Sequence, residues 1–195
     1  MADATQKTVP HQTHCWSRAE YEHIVDVGGF GSDVRLELLD GYIIDMSLQK
    51  SLHACAADLT EAALRECVSD GAYIRSQKPL ALDDTSEPEP DIAVVPGSPR
   101  DYAERHPSDA LLIVEVADSS LDFDRNRKAR AYARNAIADY WIVNLRDLVV
   151  EVRRAPIGDA YQDVQMLRAG ERIAPLAAPR CAIAIADLLP TRRHG

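Results

Sequence analysis

Leu111 to Val116 reads LLIVEV, an apolar run of strand length that suits a central strand covered on both faces. Five of its six side chains belong in a core, and Glu115 does not. An ionised carboxylate in such a strand is costly unless a partner compensates it. The run therefore calls for a sheet flanked by helices and for a charge or hydrogen-bond partner at Glu115. An ion pair with an arginine is the structural alternative to a functional site.

The rest of the chain supplies such an architecture. Ser17 and Glu20 have the form of a capping box, and Tyr21, Ile24 and Val25 continue at helical spacing until Gly28, Gly29 and Gly31. Val34 to Leu39 and Tyr42 to Met46 flank Asp40-Gly41, a strong hairpin signal. Leu52, Cys55, Leu59, Ala62, Ala63 and Cys67 mark a helix from about Gln49, with Ser69-Asp70-Gly71 as its stop. Tyr73 to Leu82 reads as one long strand, Asp83 to Pro90 as an acidic loop and Ile92 to Val95 as a short strand. After the LLIVEV strand come a helix from about Leu121 to Asn135, strands at Tyr140 to Val143 and Leu148 to Arg153, and weaker strand-like pieces at Tyr161 to Leu167 and Arg172 to Leu176. A short apolar element, Ala182 to Leu189, precedes the basic TRRHG end. The expected fold is α/β, a mostly consecutive central sheet flanked by helices. The expected organisation is a leader over 1–16, one domain over 17–190 and a basic tail over 191–195.

With 195 residues, 46% of them hydrophobic, the chain can build one substantial core. No apolar run approaches the roughly 20 residues needed to cross a bilayer, and the opening lacks the regions of a signal peptide, so a cytoplasmic protein without a membrane partner is expected. Cys15, Cys55, Cys67 and Cys181 are scattered, form no CxxC pair and read as reduced packing thiols. His11, His14 and Cys15 lie together in a polar leader with no further ligand in view. A net charge of -9 excludes coating of nucleic acid by bulk attraction, so any such role is local. Arg125, Arg127, Lys128, Arg130 and Arg134 crowd into ten residues and offer that locality, although a solvated helix face explains them equally.

Asp91, at the mouth of Ile92 to Val95, follows Glu87, Pro88, Glu89 and Pro90. Two carboxylates at the ends of neighbouring strands, Asp91 and Glu115, form the usual partial cage for Mg²⁺, which keeps several waters for substrate and nucleophile. Phosphodiester hydrolysis needs, in addition, a cation that orients water and offsets charge on phosphorus. Lys128 fits, because Asp124, Lys128 and Tyr132 lie one turn apart along one helix face. A surface ion pair of Asp124 with Lys128 is equally compatible with that spacing.

EPEPDIAVV (Glu87 to Val95), LLIVEVADSSLDFDRNRKARAYARNAIADYWIVN (Leu111 to Asn144) and LELLDGYIIDMS (Leu36 to Ser47) resemble the Uma-type restriction endonucleases, bacterial members of the PD-(D/E)xK nuclease superfamily. The resemblance runs from about Val34 to Leu189. It implies a restriction-endonuclease-like mixed sheet, with Asp91 and Glu115 as catalytic metal ligands, Lys128 as the catalytic lysine and Glu37 as a further acidic ligand. The superfamily's usual lysine lies two residues after the glutamate. Ala117 holds that place here, and the lysine comes instead from the next helix. His53 and Gln77 match recurrent polar positions with supporting roles, whereas Ala136 and Asn144 depart from an expected Gly and Asp.

The expected activity is hydrolysis of DNA by an endonuclease using Mg²⁺ or Mn²⁺, with Arg125, Arg127, Arg130 and Tyr132 touching nucleic acid. Cutting both strands of a duplex favours a homodimer. The alternatives are a nuclease fold that binds nucleic acid or a protein without cutting, and a set of buried ion pairs with no chemistry.

Overall fold

The computed structural model describes residues 13–31, 34–46, 48–68 and 71–191. Helix α1 (Arg18–Asp26) starts at the expected capping box, in which Ser17 and Glu20 bond each other's backbone amides. Strands β1 (Leu36–Leu39) and β2 (Tyr42–Asp45) form the expected hairpin. Its two turn residues, Asp40 and Gly41, both have positive φ, 55° and 74°, the conformation that matches the twist of a two-residue hairpin. Helix α2 (Ser51–Cys67) follows; of its expected stop, Ser69 and Asp70 lie outside the described residues.

Strands β3 (Ala72–Ser76), β4 (Ile92–Pro96), β5 (Leu112–Ala117), β6 (Asp139–Asn144), β7 (Val149–Ile157) and β8 (Ala160–Arg168) make one six-stranded sheet in sequence order. Only β5 and β6 run parallel, because the helix between them is the one crossover in the series. Two short strands, β9 (Arg172–Ile173) and β10 (Ile183–Ala184), pair with each other before α5 (Ile185–Leu188).

Alternation along the strands sorts the core into two layers. Ile92, Val94, Leu112, Val114, Val116, Trp141 and Val143 pack against α2 and α5. Ala93, Val95, Ile113, Ala117, Tyr140 and Ile142 pack against the crossover helix. Glu115 has the parity of Ile113 and Ala117, so it is buried beneath that helix. The helix consists of α3 (Leu121–Phe123), a π-helical turn (Asp124–Lys128) and α4 (Ala129–Arg134). Such π turns recur where function displaces a regular ladder. Ala136, just beyond α4, has a φ of 59°, the left-handed conformation in which glycine is easiest.

Two expectations are corrected. The strand expected over Tyr73 to Leu82 ends at Ser76, because Gln77 turns the chain with a φ of 50°; its amide meets the carbonyls of Pro90 and Asp91. Beyond it Leu80, Ala81 and Leu82 are buried as loop rather than strand. The cysteines are not all thiols: Cys67 at the end of α2 and Cys181 before β10 form a disulfide across 114 residues, while Cys15 and Cys55 are free. Only the tertiary fold brings these two together, at a Cα separation of 5.4 Å that suits a bridge. Among the described residues no helix is long and apolar enough to cross a membrane.

Candidate active site

Three elements converge where β4 and β5 pair, inside the sheet. Asp91 immediately precedes β4, Glu115 is the fourth residue of β5, and Glu37 comes from β1. All three are buried. Antiparallel pairing sets Ile92 opposite Val114, which brings Asp91 alongside Glu115 and Val116. The Val116 amide donates to Asp91 Oδ2 at 2.8 Å, and the Asp91 amide approaches Glu115 Oε2 at 3.4 Å.

The crossover helix supplies the counter-charge. Lys128 Nζ lies 3.0 Å from Glu115 Oε1 and 3.2 Å from Glu37 Oε2, so one ammonium bridges two carboxylates from different sheets. Tyr132, one turn on, donates its hydroxyl to the same Glu115 oxygen at 2.7 Å. Asp124, one turn back, is buried and accepts from Ser120 Oγ at 2.6 Å. The face inferred from the spacing of Asp124, Lys128 and Tyr132 thus looks onto Glu115.

Charge at this centre is unbalanced. Burial pushes the Glu115 carboxyl up to about 8; Lys128 opposes the shift, and Asp91, Asp124 and Glu37 add to it. Burial likewise raises Asp124 to about 6, against Lys128 and the Ser120 hydrogen bond. Burial disfavours the Lys128 ammonium too, but Glu115, Glu37, Asp124 and Asp91 together hold it protonated, well above its ordinary range. An isolated ion pair would lower its acid while raising its base. Both rise here because burial raises Glu115 by more than the single lysine lowers it, the other three carboxylates add to that rise, and all four carboxylates together hold up Lys128.

These residues line an open cleft of about 360 Å³. Glu37, Asp45, Glu89, Asp91, Glu115, Asp118 and Asp124 face Arg35, Lys50, Lys128 and His53 across it, a surplus of negative charge that invites a cation. Asp91 meets His53 Nε2 at 3.1 Å and Gln49 Nε2 at 3.4 Å. Burial lowers the basicity of His53, but Asp91 outweighs it and the ring rises above its ordinary value. The other ring nitrogen of His53, Nδ1, is buried without a partner.

Hard carboxylate oxygens in a wet, over-acidic cleft suit a divalent ion such as Mg²⁺. Among the described residues, no three His, Cys, Asp or Glu side chains already converge as ligands. Protein cations occupy the relevant places: Lys128 lies between Glu37 and Glu115, and His53 lies on Asp91. The residues fit the ion by chemistry, with side-chain adjustment required.

Among the described residues, Glu115 and Glu37 pair with Lys128 and Asp91 pairs with His53, so no arginine is the partner. These are buried ion pairs, as the alternative without chemistry expects, but they line an open cleft. The four residues expected on nucleic acid are dispersed. Arg125 is clamped to buried Glu151 at 2.6 Å, and Arg130 pairs with Asp159 at 2.8 Å on the surface. Arg127 lies over the rings of Tyr42 and Phe123. Tyr132 is a correction: it is wholly buried and acts on Glu115 from inside. Asp124 was read only as a helix-face partner of Lys128, and Gln49 was not singled out; no motif marks their convergence on the cleft.

Asp91 at the mouth of β4, Glu115 within β5, a bridging lysine and a covering helix make a buried, acidic α/β site. The sequence matches the Uma2 family, described as "Putative restriction endonuclease", over residues 18–186, and the chain belongs to that family. The fold is similar to that of a crystal structure titled as a "putative nuclease" of DUF820 from Anabaena variabilis. The TM-score is 0.62 at 16% identity, over 80% of this chain and 90% of that one. No curated protein matches the sequence significantly.

Proposed function

We propose that the protein is a bacterial, divalent-metal-dependent endonuclease that hydrolyses DNA phosphodiester bonds. The observation that carries this reading is the lysine bridge: Lys128 joins Glu115 to Glu37 beside Asp91, in an open cleft with more carboxylate than cation. Asp91 and Glu115, helped by Glu37, would hold Mg²⁺ or Mn²⁺. The ion would supply Lewis-acid stabilisation of charge on the phosphoryl oxygens.

Lys128 orients the attacking water and faces charge that develops on phosphorus. Tyr132 fixes the Glu115 carboxylate, leaving its second oxygen on the Asp91 side. His53 and Gln49 hold Asp91 at the strand mouth. Paired cuts in a duplex would call for a homodimer. A cytoplasmic location is set against the Cys67–Cys181 bridge, because disulfides are rare there. Trapping thiols by alkylation in intact cells decides, free thiols at both positions placing the protein in the cytoplasm and a bridge placing it in an oxidising compartment.

Calorimetry with Mn²⁺ on the wild type and on Glu115→Ala, followed by DNA cleavage in Lys128→Ala, tests the assignment. It expects weakened metal binding in the first variant, and lost cleavage with retained metal in the second. Normal metal binding by Glu115→Ala would sink it. DNA binding without metal-dependent cleavage would assign the chain to the non-catalytic alternative.

A further inference from the structure

Beside the cleft, the hairpin and the crossover helix build a feature that phosphodiester chemistry does not use. The Arg127 guanidinium lies 5.0 Å from the ring centre of Tyr42 and 5.7 Å from that of Phe123. Phe123 lines the cleft. Tyr42 is 51% exposed, at the first position of β2. The ion-pair contact of Arg127 is a long one, 3.9 Å to Asp40 Oδ2, in contrast to the close clamps on Arg125 and Arg130. A planar cation flanked by two aromatic rings, one of them half open to solvent, is a stacking surface next to a site directed at phosphate.

We propose that Tyr42, Arg127 and Phe123 form a platform for an unpaired nucleobase of the strand entering the cleft, which makes single-stranded or frayed DNA the preferred substrate. This rests on the nuclease reading above and narrows its substrate. Within a duplex each internal base face is covered by its neighbours, so away from the duplex ends only an unpaired base can offer a face to Tyr42. Stacking on rings and on guanidinium reads no base edge, so the platform tolerates any sequence. In a chain of net charge -9, nonspecific attraction to the polyanion is weak, and a local stacking contribution decides which form of DNA is held.

A 12-nucleotide single strand carrying 2-aminopurine, its blunt duplex and the RNA of the same sequence would be titrated against the full chain in EDTA. The wild type is expected to bind the single strand more tightly than the duplex and to quench the 2-aminopurine. Loss of one stacked base at about 1–3 kcal/mol weakens binding by roughly 5- to 150-fold, so Tyr42→Ala should lose on the order of tenfold and the quenching. Tyr42→Phe should retain both. Because Tyr42 is half exposed, its variants are expected to fold, which the melting temperature checks.

Single-strand affinity and quenching unchanged in Tyr42→Ala, or equal losses in Tyr42→Ala and Tyr42→Phe, would overturn the platform; tighter binding of the RNA would overturn the assignment to DNA. The two readings fail separately. Mn²⁺-dependent cleavage with unaltered single-strand binding in Tyr42→Ala removes the platform and leaves the nuclease. A Tyr42→Ala defect without any metal-dependent cleavage removes the nuclease and leaves the platform.

Discussion

Glu115 and Glu151 occupy one row of the same sheet, each paired across β6 with Ile142, and both are buried under the crossover helix. That helix reaches both, with Lys128 toward Glu115 and Arg125 toward Glu151. Their surroundings differ. Glu151 accepts from Arg125, Arg153 and Asn144, and although burial pushes its carboxyl up, those bonds win and hold it below its ordinary range. Glu115 shares one lysine with three other carboxylates and is held above its range. Two buried glutamates a strand apart are thus a satisfied structural ion and an under-compensated one. Deeper burial of Glu115 together with the shortage of positive charge around it marks the candidate site.

The largest effect expected from this contrast is on stability. Removing one partner of a satisfied buried ion cluster costs about 3 kcal/mol or more, so Glu151→Ala should lower the urea midpoint sharply. Glu115→Ala should change it little, because Lys128 keeps Glu37 and Asp124 as neighbours. Equal losses in the two variants would erase the distinction. On activity the ranking reverses: Lys128→Ala should slow DNA cleavage by roughly 10²–10³-fold, the usual scale for one lost transition-state donor, whereas Arg153→Ala, at the Glu151 cluster, should leave the rate of the folded enzyme near wild type. Circular dichroism on each variant separates misfolding from lost chemistry.

The pH dependence has opposite signs at the two sites. Glu115 holds its proton more tightly in the folded chain than at its ordinary 4.5, so its contribution is fully present below about 4.5 and is lost as pH rises through about 8. Glu151, lowered on folding, contributes above its ordinary 4.5 and loses that contribution as pH falls through its depressed value. Metal-free protein should therefore become less stable to urea between pH 5.5 and 8.5. Glu115→Gln should reduce that decline, leaving the part that comes from His53 and from Glu87 and Asp124, whose carboxyls burial raises to about 7 and about 6. Mn²⁺ should reduce the decline in the wild type by standing in for the proton. A decline that persists unchanged in Glu115→Gln would place its origin elsewhere.

Much of this was legible in residues with strong local rules. The capping box at Ser17, the Asp40-Gly41 hairpin and the carboxylate inside LLIVEV each carry their physics within a few neighbours. Lys128 was legible because helical spacing put it on one face with Asp124 and Tyr132. What escaped depends on long-range contact. The Cys67–Cys181 bridge joins residues 114 apart, and Gln77 turns the chain against the carbonyls preceding β4. Tyr132 could not be told from a surface tyrosine, since the spacing fixes which residues share a face and not how deep that face lies. Asn144, noted only as a departure from Asp, donates to Glu151 and Asp147; an aspartate there could donate to neither.

The smallest expected effect separates two arginines of the same π-helical turn. Affinity for DNA falls with salt in proportion to the number of phosphates neutralised, by slightly under one logarithmic unit per contact. Arg125 spends its charge on Glu151 and has none to offer a phosphate without breaking that clamp. Arg127, held by aromatic rings and a distant Asp40, keeps its charge available beside the cleft. Arg127→Gln should therefore reduce the slope of log affinity against log salt by about 0.7 on a single strand, with little change in melting temperature. Arg125→Gln should leave the slope unaltered while lowering stability, because Glu151 then loses its closest cation. Arg130, paired with Asp159 on the open surface, should fall between them, since an exposed pair opens at small cost. Fluorescence anisotropy with a short single strand over several salt concentrations measures the slopes, and thermal melts of the same samples measure stability. If Arg125→Gln lowered the slope as much as Arg127→Gln, Arg125 would be a phosphate contact, and the sorting of satisfied from available charge along this helix would be wrong.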